Sequence, residues 1–280
     1  MFKPKVEYNF YFSIFYISIF FISLMIYGFD KYWIYSYVIH FIIGSFGIAF
    51  GYHKTIIHNS VETFSLVRRF AALIALFSNT GSAITWATSH YLHHAYPDTE
   101  YDPHSPMEHR YRILLGFYNT DAILAHQKKV FVAVRKIAKD SFLVHLHKNY
   151  YLYLLSYYLF SYVVGGFKGL LFFGLIPSGI SFYSIILTNY FNHGKLGYRN
   201  FETPDLSLNV WFLFFFTFGE NWHNNHHRYP SAKSNRIRWW EIDLSYVYCY
   251  LFDINNYQKL IFYFNKLKKM KQSKDRDYIY

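Results

Sequence analysis

Phe70-Ala-Ala-Leu-Ile-Ala-Leu-Phe-Ser-Asn-Thr-Gly-Ser-Ala-Ile-Thr-Trp-Ala87 is apolar enough to suggest a membrane span, and whether it crosses decides the fold. Histidine clusters stand on either side of it: His53-Lys-Thr-Ile-Ile-His58 before and His90-Tyr-Leu-His93-His94 after. A third, His223-Asn-Asn-His226-His227, lies near the C-terminal end. A full crossing at 70–87 would put the first two clusters on opposite faces, which a shared site forbids. The stretch is therefore predicted to be buried, re-entrant or interfacial, helped by its polar interruption Ser78-Asn79-Thr80-Gly81-Ser82.

With 15 histidines in 280 residues, chance alone supplies roughly 0.04 copies of His-x-x-His-His, and two occur. On a helix, positions i, i+3 and i+4 share a face, so each run can aim three ring nitrogens at one volume. His53 and His58 are spaced i, i+5, which diverges on an ideal helix. They would more naturally serve two metals, or sit where the helix ends. Histidine ligands suit iron, copper or zinc equally, and the single Cys249 excludes a thiolate-rich centre and an intramolecular disulfide.

Outward from the clusters, the chain reads as membrane protein. Hydrophobic residues make up 53% and charged residues only 16%, well below a soluble domain. Asn9 to Phe29 is long enough to cross the hydrocarbon, Asp30-Lys31 closes it, and Trp33 to Phe50 forms a second run. Tyr150 to Asn192 is apolar except for Lys168 and carries Gly165-Gly166 in its middle, so it reads as a second hairpin. The first run is too long for a signal-peptide core and lacks a small-x-small cleavage site.

Charge orients this arrangement. Residues 51–149 carry eleven Lys and Arg and residues 193–280 carry thirteen, whereas the two hairpin turns carry only Lys31 and Lys168. Positive-inside then places both long segments, both termini and all three clusters in the cytoplasm. The net charge of +11 is mainly this topology signal; nucleic acid is a poor explanation for it. Lys266, Lys268, Lys269, Lys271 and Lys274 form a basic tail, read as a solvated or lipid-facing end. The expected architecture is an all-α integral membrane protein with four transmembrane helices in two hairpins. Its segments are an N-terminal tail with hairpin 1 (1–50), a cytoplasmic segment with the first two clusters and a membrane-associated, non-spanning stretch (51–149), hairpin 2 (150–192) and a cytoplasmic segment with the third cluster (193–280). No Gly-rich dinucleotide loop, P-loop, His-Glu-x-x-His motif or internal repeat is present.

The order and spacing of these clusters, with a hairpin before the first and another between the second and third, resembles the membrane fatty acyl desaturases. The likeness is to the stearoyl-CoA and cyanobacterial or bacterial Δ9 acyl desaturase branch. Gly51-Tyr52-His53-Lys54, Asp102-Pro103-His104, Gly219-Glu220-Asn221-Trp222 through Arg228-Tyr229-Pro230, and Trp239-Trp240-Glu241-Ile242-Asp243-Leu244 carry it. The resemblance implies a ninth histidine, His193, and four residues earlier Asn189, which would hold a metal-bound water. The implied ligands of a di-iron centre (Fe2+/Fe3+) are thus His53, His58, His90, His93, His94, His193, His223, His226 and His227. Glu220, Asp98, Asp102, Glu241 and Asp243 are candidates to orient the rings.

The implied reaction uses O2 to introduce a cis double bond, at Δ9, into a saturated acyl chain carried by CoA, acyl carrier protein or lipid. The chain would enter a narrow tunnel whose length sets chain length, with Tyr35, Phe46 and Tyr52 as candidates to close its end. There is no His-Pro-Gly-Gly haem signature, so electrons are expected from a separate ferredoxin or cytochrome b5. Membrane lipids complete the partners, and the setting would be a bacterial or thylakoid membrane or the endoplasmic reticulum. Lys54, Tyr91 and Asn59 replace arginines usual in the family, Asn221 replaces a glycine, and Thr88 and Ser89 stand where the acyl-CoA branch has charges. These departures remove no ligand but weaken the carry-over of head-group contacts. His40, His104, His109, His126, His145 and His147 are read as structural or surface residues. The rival readings are hydroxylation, acetylenation or oxidation of a sterol or carotenoid on the same scaffold, and a non-enzymatic metal-binding or transport protein. The last would need ionisable residues in the spans, where only His40 qualifies.

Overall fold

In the computed structural model, residues 9–105, 110–116 and 120–259 are described; the N-terminal residues 1–8, His109 and the tail lysines lie outside them. The described residues are helical, with isolated β-bridges and no strand. α1 (Asn9–Tyr27) turns the usual pattern inside out: Ser13, Tyr16 and Ser23 face the protein, while Phe15, Phe21, Ile22 and Met25 point outward. Such a face has no favourable partner in water and an obvious one in hydrocarbon. α2 (Tyr32–Phe41) continues without a break into π-helical turns (Ile42–Ile57). Together with α1 and the stretch Tyr150–Asn192, they are the three helices among the described residues that are long and apolar enough to cross a membrane.

α3 (Ser65–Leu76) and α4 (Ala83–Ala95) are separated by a polar turn in which Ser82 caps α4 by accepting from Thr85 N–H. Residues 70–87 are therefore divided between two short helices, neither of them among those three. α3 lies flat on the π-helical segment because small residues meet: a Cβ on Gly47 would stand 2.8 Å from the Ala75 nitrogen, and one on Gly51 2.8 Å from the Ala71 Cβ. Gly47→Val forces two backbones apart and should cost about 1–3 kcal/mol, measured as faster thermal inactivation in detergent. Unchanged inactivation would mean that this contact is looser than it looks.

The short helices α5 (Arg110–Leu114), α6 (Thr120–Ala125), α7 (Gln127–Val134) and α8 (Ser141–Lys148) follow; α6, α7 and α8 cover α4, while α5 packs on the later helix at Phe182 and Ile186. α9 (Tyr150–Gly169) reverses near its end. Gly166, at φ 61°, ψ −150°, occupies a region open only to glycine. The Tyr157 hydroxyl bonds Phe173 O, and Gly174 packs on Tyr158 and Ser161. A straight helix would hold Tyr157 and Phe173 about 24 Å apart, so the chain folds back here. Lys168 pairs with Asp30 at 2.7 Å and lies over the Tyr32 ring, joining this turn to the one between α1 and α2.

α10 (Ile176–Asn192) descends from that turn to His193. Bridges Tyr198–Asn209 and Asn209–Trp222 then stitch the following loop to the start of the third cluster. α11 (Phe214–Thr217), α12 (His223–Arg228) and α13 (Leu244–Phe252) complete the described chain, with Cys249 and Tyr248 of α13 packed on Phe50 and Phe46.

Candidate metal centre

Nine buried or half-buried histidines converge where α4, α12, the end of the π-helical segment and the end of α10 meet. They form two groups, each with its ligand atoms within 4.8 Å of one another: His53, His58, His90, His94 and His226, and His93, His193, His223 and His227. The histidine runs do not each serve one volume. His90 and His94, one turn apart, face the first group while His93 faces the second; His223 and His227 face the second while His226 faces the first. Positions i and i+4 stack on one side of a helix and i+3 falls far enough round to reach the neighbouring centre.

His53 and His58 also depart from the two-metal reading, since both belong to the first group. The cause is local: π-helical turns place i and i+5 one above the other, and His58 caps the segment with its N–H on His53 O at 3.0 Å. Asn59 follows in the left-handed region at φ 51°, which asparagine tolerates and which ends the helix.

Carboxylates set the ring orientations. His93 Nδ1 donates to Asp102 at 2.9 Å, His193 Nδ1 to Asp98 at 2.9 Å and His227 Nδ1 to Asp205 at 2.9 Å, and His53 Nδ1 lies against Glu220. A neutral imidazole that donates through Nδ1 presents a bare lone pair at Nε2. Yet Nε2 atoms crowd together: His58 to His90 2.8 Å, His90 to His94 3.0 Å, His94 to His226 3.0 Å, His93 to His227 3.1 Å and His223 to His227 3.1 Å. His193 Nε2 is buried with no hydrogen-bond partner. His93 and His227 both donate through Nδ1, so their close Nε2 atoms meet acceptor to acceptor, which repels in a dry site, whereas nitrogens about 2.1 Å from a common ion are about 2.9–3.4 Å apart. The residues thus fit metal ions.

Burial pushes His90, His93, His223, His226 and His227 well below the usual histidine range, and His94 down to about 4, which keeps the rings neutral. Burial raises the Glu220 carboxyl to about 8. Burial opposes ionisation of Asp205 too, but the hydrogen bond from His227 prevails and holds it below the ordinary carboxylate range.

Of the carboxylates proposed from sequence, Asp98, Asp102 and Glu220 touch histidines, while Glu241 and Asp243 do not. Fully buried Glu241 accepts from Tyr198 OH, Asn200 Nδ2, Asn225 Nδ2 and the N–H groups of Ile237 and Arg238. Asp243 caps α13 through Tyr246 N–H and accepts from Asn235 N–H. Asp205 escaped the sequence reading; it is 22 residues from His227, on a loop with no helical register to suggest the contact.

Asn224 and Asn225, inside the third cluster, have no role that their sequence position suggests. Asn224 Oδ1 accepts from Asn200 N–H and Phe201 N–H, and Asn225 Oδ1 accepts from Asn200 and Asn209. They brace α12 from the side opposite the histidines. Lys54, fully buried, donates to Ala232 O and Asn235 Oδ1, and Asn221 donates to Val210 O.

Asn189 lines a cavity of about 40 Å³ together with His90, His93, His223, Thr188 and Glu220. His104 is buried against His93 and Asp102, with ring centroids 4.4 Å apart to His93. His40 bonds Ser181 Oγ at 2.8 Å inside the bundle. His147, read as a surface residue, is instead buried and bonded to Ser82 Oγ at 2.7 Å, because α8 packs on the start of α4. Phe46 stacks on Phe50, and Tyr52 donates to Gly81 O, so both act in packing.

Helices apolar enough to cross a membrane, together with two histidine groups that could each hold a metal ion, fit a membrane-associated metalloprotein, and sequence comparison gives the family. Residues 31–248 match the fatty acid desaturase family. The chain is 30% identical to Delta-9 acyl-lipid desaturase 2 of Arabidopsis thaliana over 223 residues, 77% of this chain and 70% of that protein. It is 30% identical to sn-2 palmitoyl-lipid 9-desaturase of Nostoc sp. (strain 36) over 211 residues, covering 74% and 73%. It is 29% identical to acyl-CoA C20 Delta5-desaturase of Anemone leveillei over 225 residues, covering 77% and 69%. The chain belongs to the fatty acid desaturase family and is an oxidoreductase that desaturates fatty acyl chains.

Proposed function

We propose that this protein is an O2-dependent acyl desaturase that places a cis double bond at Δ9, using two iron ions held by the nine histidines. The convergence of nine rings into groups of five and four, three of them oriented by aspartates, carries the reading. Iron held there supplies the oxidising power, drawn from O2, that removal of two hydrogens from unactivated methylenes demands. The chain's own residues orient and shield. Asp98, Asp102 and Asp205 fix which nitrogen each ring presents, and Trp86, stacked on His90 at 4.5 Å, closes one wall against water. Asn189 is assigned to hold a water at the edge of the site, on the cavity it shares with His93 and His223.

In this reading α1 with α2, and α9 with α10, form two hairpins that cross the membrane four times, leaving both termini and the histidines on the cytoplasmic face. Electrons come from a separate ferredoxin or cytochrome b5 meeting that basic face. An acyl-lipid carrier is favoured over CoA because Thr88 and Ser89 turn their hydroxyls to Ile84 O and Trp86 O, offering no charge to a nucleotide head group.

The test is expression of the full chain in a desaturase-deficient host with gas chromatography of its fatty acids. A new Δ9 monounsaturated chain is expected; hydroxylated products or none, with iron bound and a working donor present, would contradict the proposal. The orienting role has its own measurement. Asp205→Ala frees the His227 ring and should weaken iron retention about 10- to 100-fold in a chelator titration. Retention equal to wild type would remove Asp205 from that role.

A further inference from the structure

Two cavities meet at one pair of side chains. The smaller, about 40 Å³, adjoins His90, His93 and His223. The larger, about 260 Å³, runs between α1 and α10 and is walled by Tyr16, Phe20, Ile176, Ile180, Tyr183 and Leu187. Ser184 and Phe216 line both. From Ser184 the groove follows α10 away from the histidines as far as Ile176, about 12 Å along the helix axis.

The groove is chemically apolar in spite of its tyrosines. The Tyr16 hydroxyl is engaged with Tyr158 at 3.0 Å and the Tyr183 hydroxyl donates to Ser13 O at 3.3 Å, so the groove receives the rings. Its outer wall is open, since Ile17, Phe20 and Phe21 are 39%, 40% and 57% exposed on the face of α1 that suits hydrocarbon. Ser184, which lines both spaces, turns its hydroxyl to Ser181 O, so it adds no free donor to the groove.

We infer that this groove binds the methyl-terminal part of the acyl chain, with the end of that chain lying against bilayer lipid instead of in a blind pocket. The inference rests on the desaturase reading and departs from a closed tunnel that measures chain length. The carboxyl end cannot lie here, because a charged or strongly polar head group would find no partner among these side chains. An open end stops penalising added methylenes, so chain length is not capped by the protein.

The experiment supplies the full chain, in a desaturase-deficient host, with saturated acids from twelve to twenty carbons and reads each monounsaturated product by gas chromatography. Wild type is expected to convert the longest chains within about threefold of the sixteen-carbon chain. Ile180→Trp fills the groove without reaching the smaller cavity. It should leave the shortest chains unaffected and cut the longest by about tenfold or more, the scale of excluding one or two methylenes. A profile unchanged by Ile180→Trp, at wild-type iron content, would overturn the inference and leave the groove to ordinary bilayer lipid. A sharp wild-type cut-off at one length would overturn it too. If Ile180→Trp loses iron, Leu187→Phe reads the same quantity in a milder form. No product of any length from wild type would instead remove the desaturase reading beneath it.

Discussion

His193→Ala and His226→Ala are each expected to lower bound iron from about two per chain toward one and to abolish desaturation, while the double substitution leaves none. His193 belongs to the group of four and His226 to the group of five, so each single change strips one metal position and spares the other. On the di-iron proposal desaturation fails in either case, because both metal positions would have to be filled. The effect should exceed the ~10- to 100-fold of losing an orienting partner, since a ligand is lost outright. Iron measured by mass spectrometry on purified protein decides the matter. If the double variant retains as much iron as either single one, the division into two groups is wrong.

Glu241→Ala should be the most damaging change remote from the metals. It strands five donors, one of them the buried Asn225 Nδ2 and four only partly covered, and Asn225 directly braces the helix bearing His223, His226 and His227. A buried unpaired group costs about 1–3 kcal/mol and the four partly covered donors, which water can reach, add less, so a total of roughly 3 kcal/mol is expected. The measurement is thermal stability in detergent, together with iron content at low temperature. Both should fall. A stable variant that merely turns over more slowly would instead place Glu241 in the chemistry.

The contrast between these residues marks where sequence reading reaches its limit. His90, His93, His94, His223, His226 and His227 are legible because their spacing is local and helical, and the reversal after Tyr150 is legible because Gly165-Gly166 interrupts an apolar run. The division of the rings is not. It depends on how α4 and α12 face each other, and on π-helical turns that bring His53 and His58 together where an ordinary helix would part them. Asp98 and Asp102 draw attention by lying beside the second cluster, but the partner of Asp98 is His193, 95 residues away. Asp205 has no neighbouring histidine in sequence at all, and Glu241 reads as a ring-orienting acid until its five donors account for it. His147 shows the reverse error: next to Lys148 it reads as surface, whereas packing of α8 on α4 buries it.

The most direct test of the central claim is the iron stoichiometry of the purified full-length protein. Two irons per chain are expected in desaturating preparations, with activity lost on chelation and restored by iron alone. A preparation that desaturates with one metal ion per chain, or with zinc in place of iron, would contradict the account.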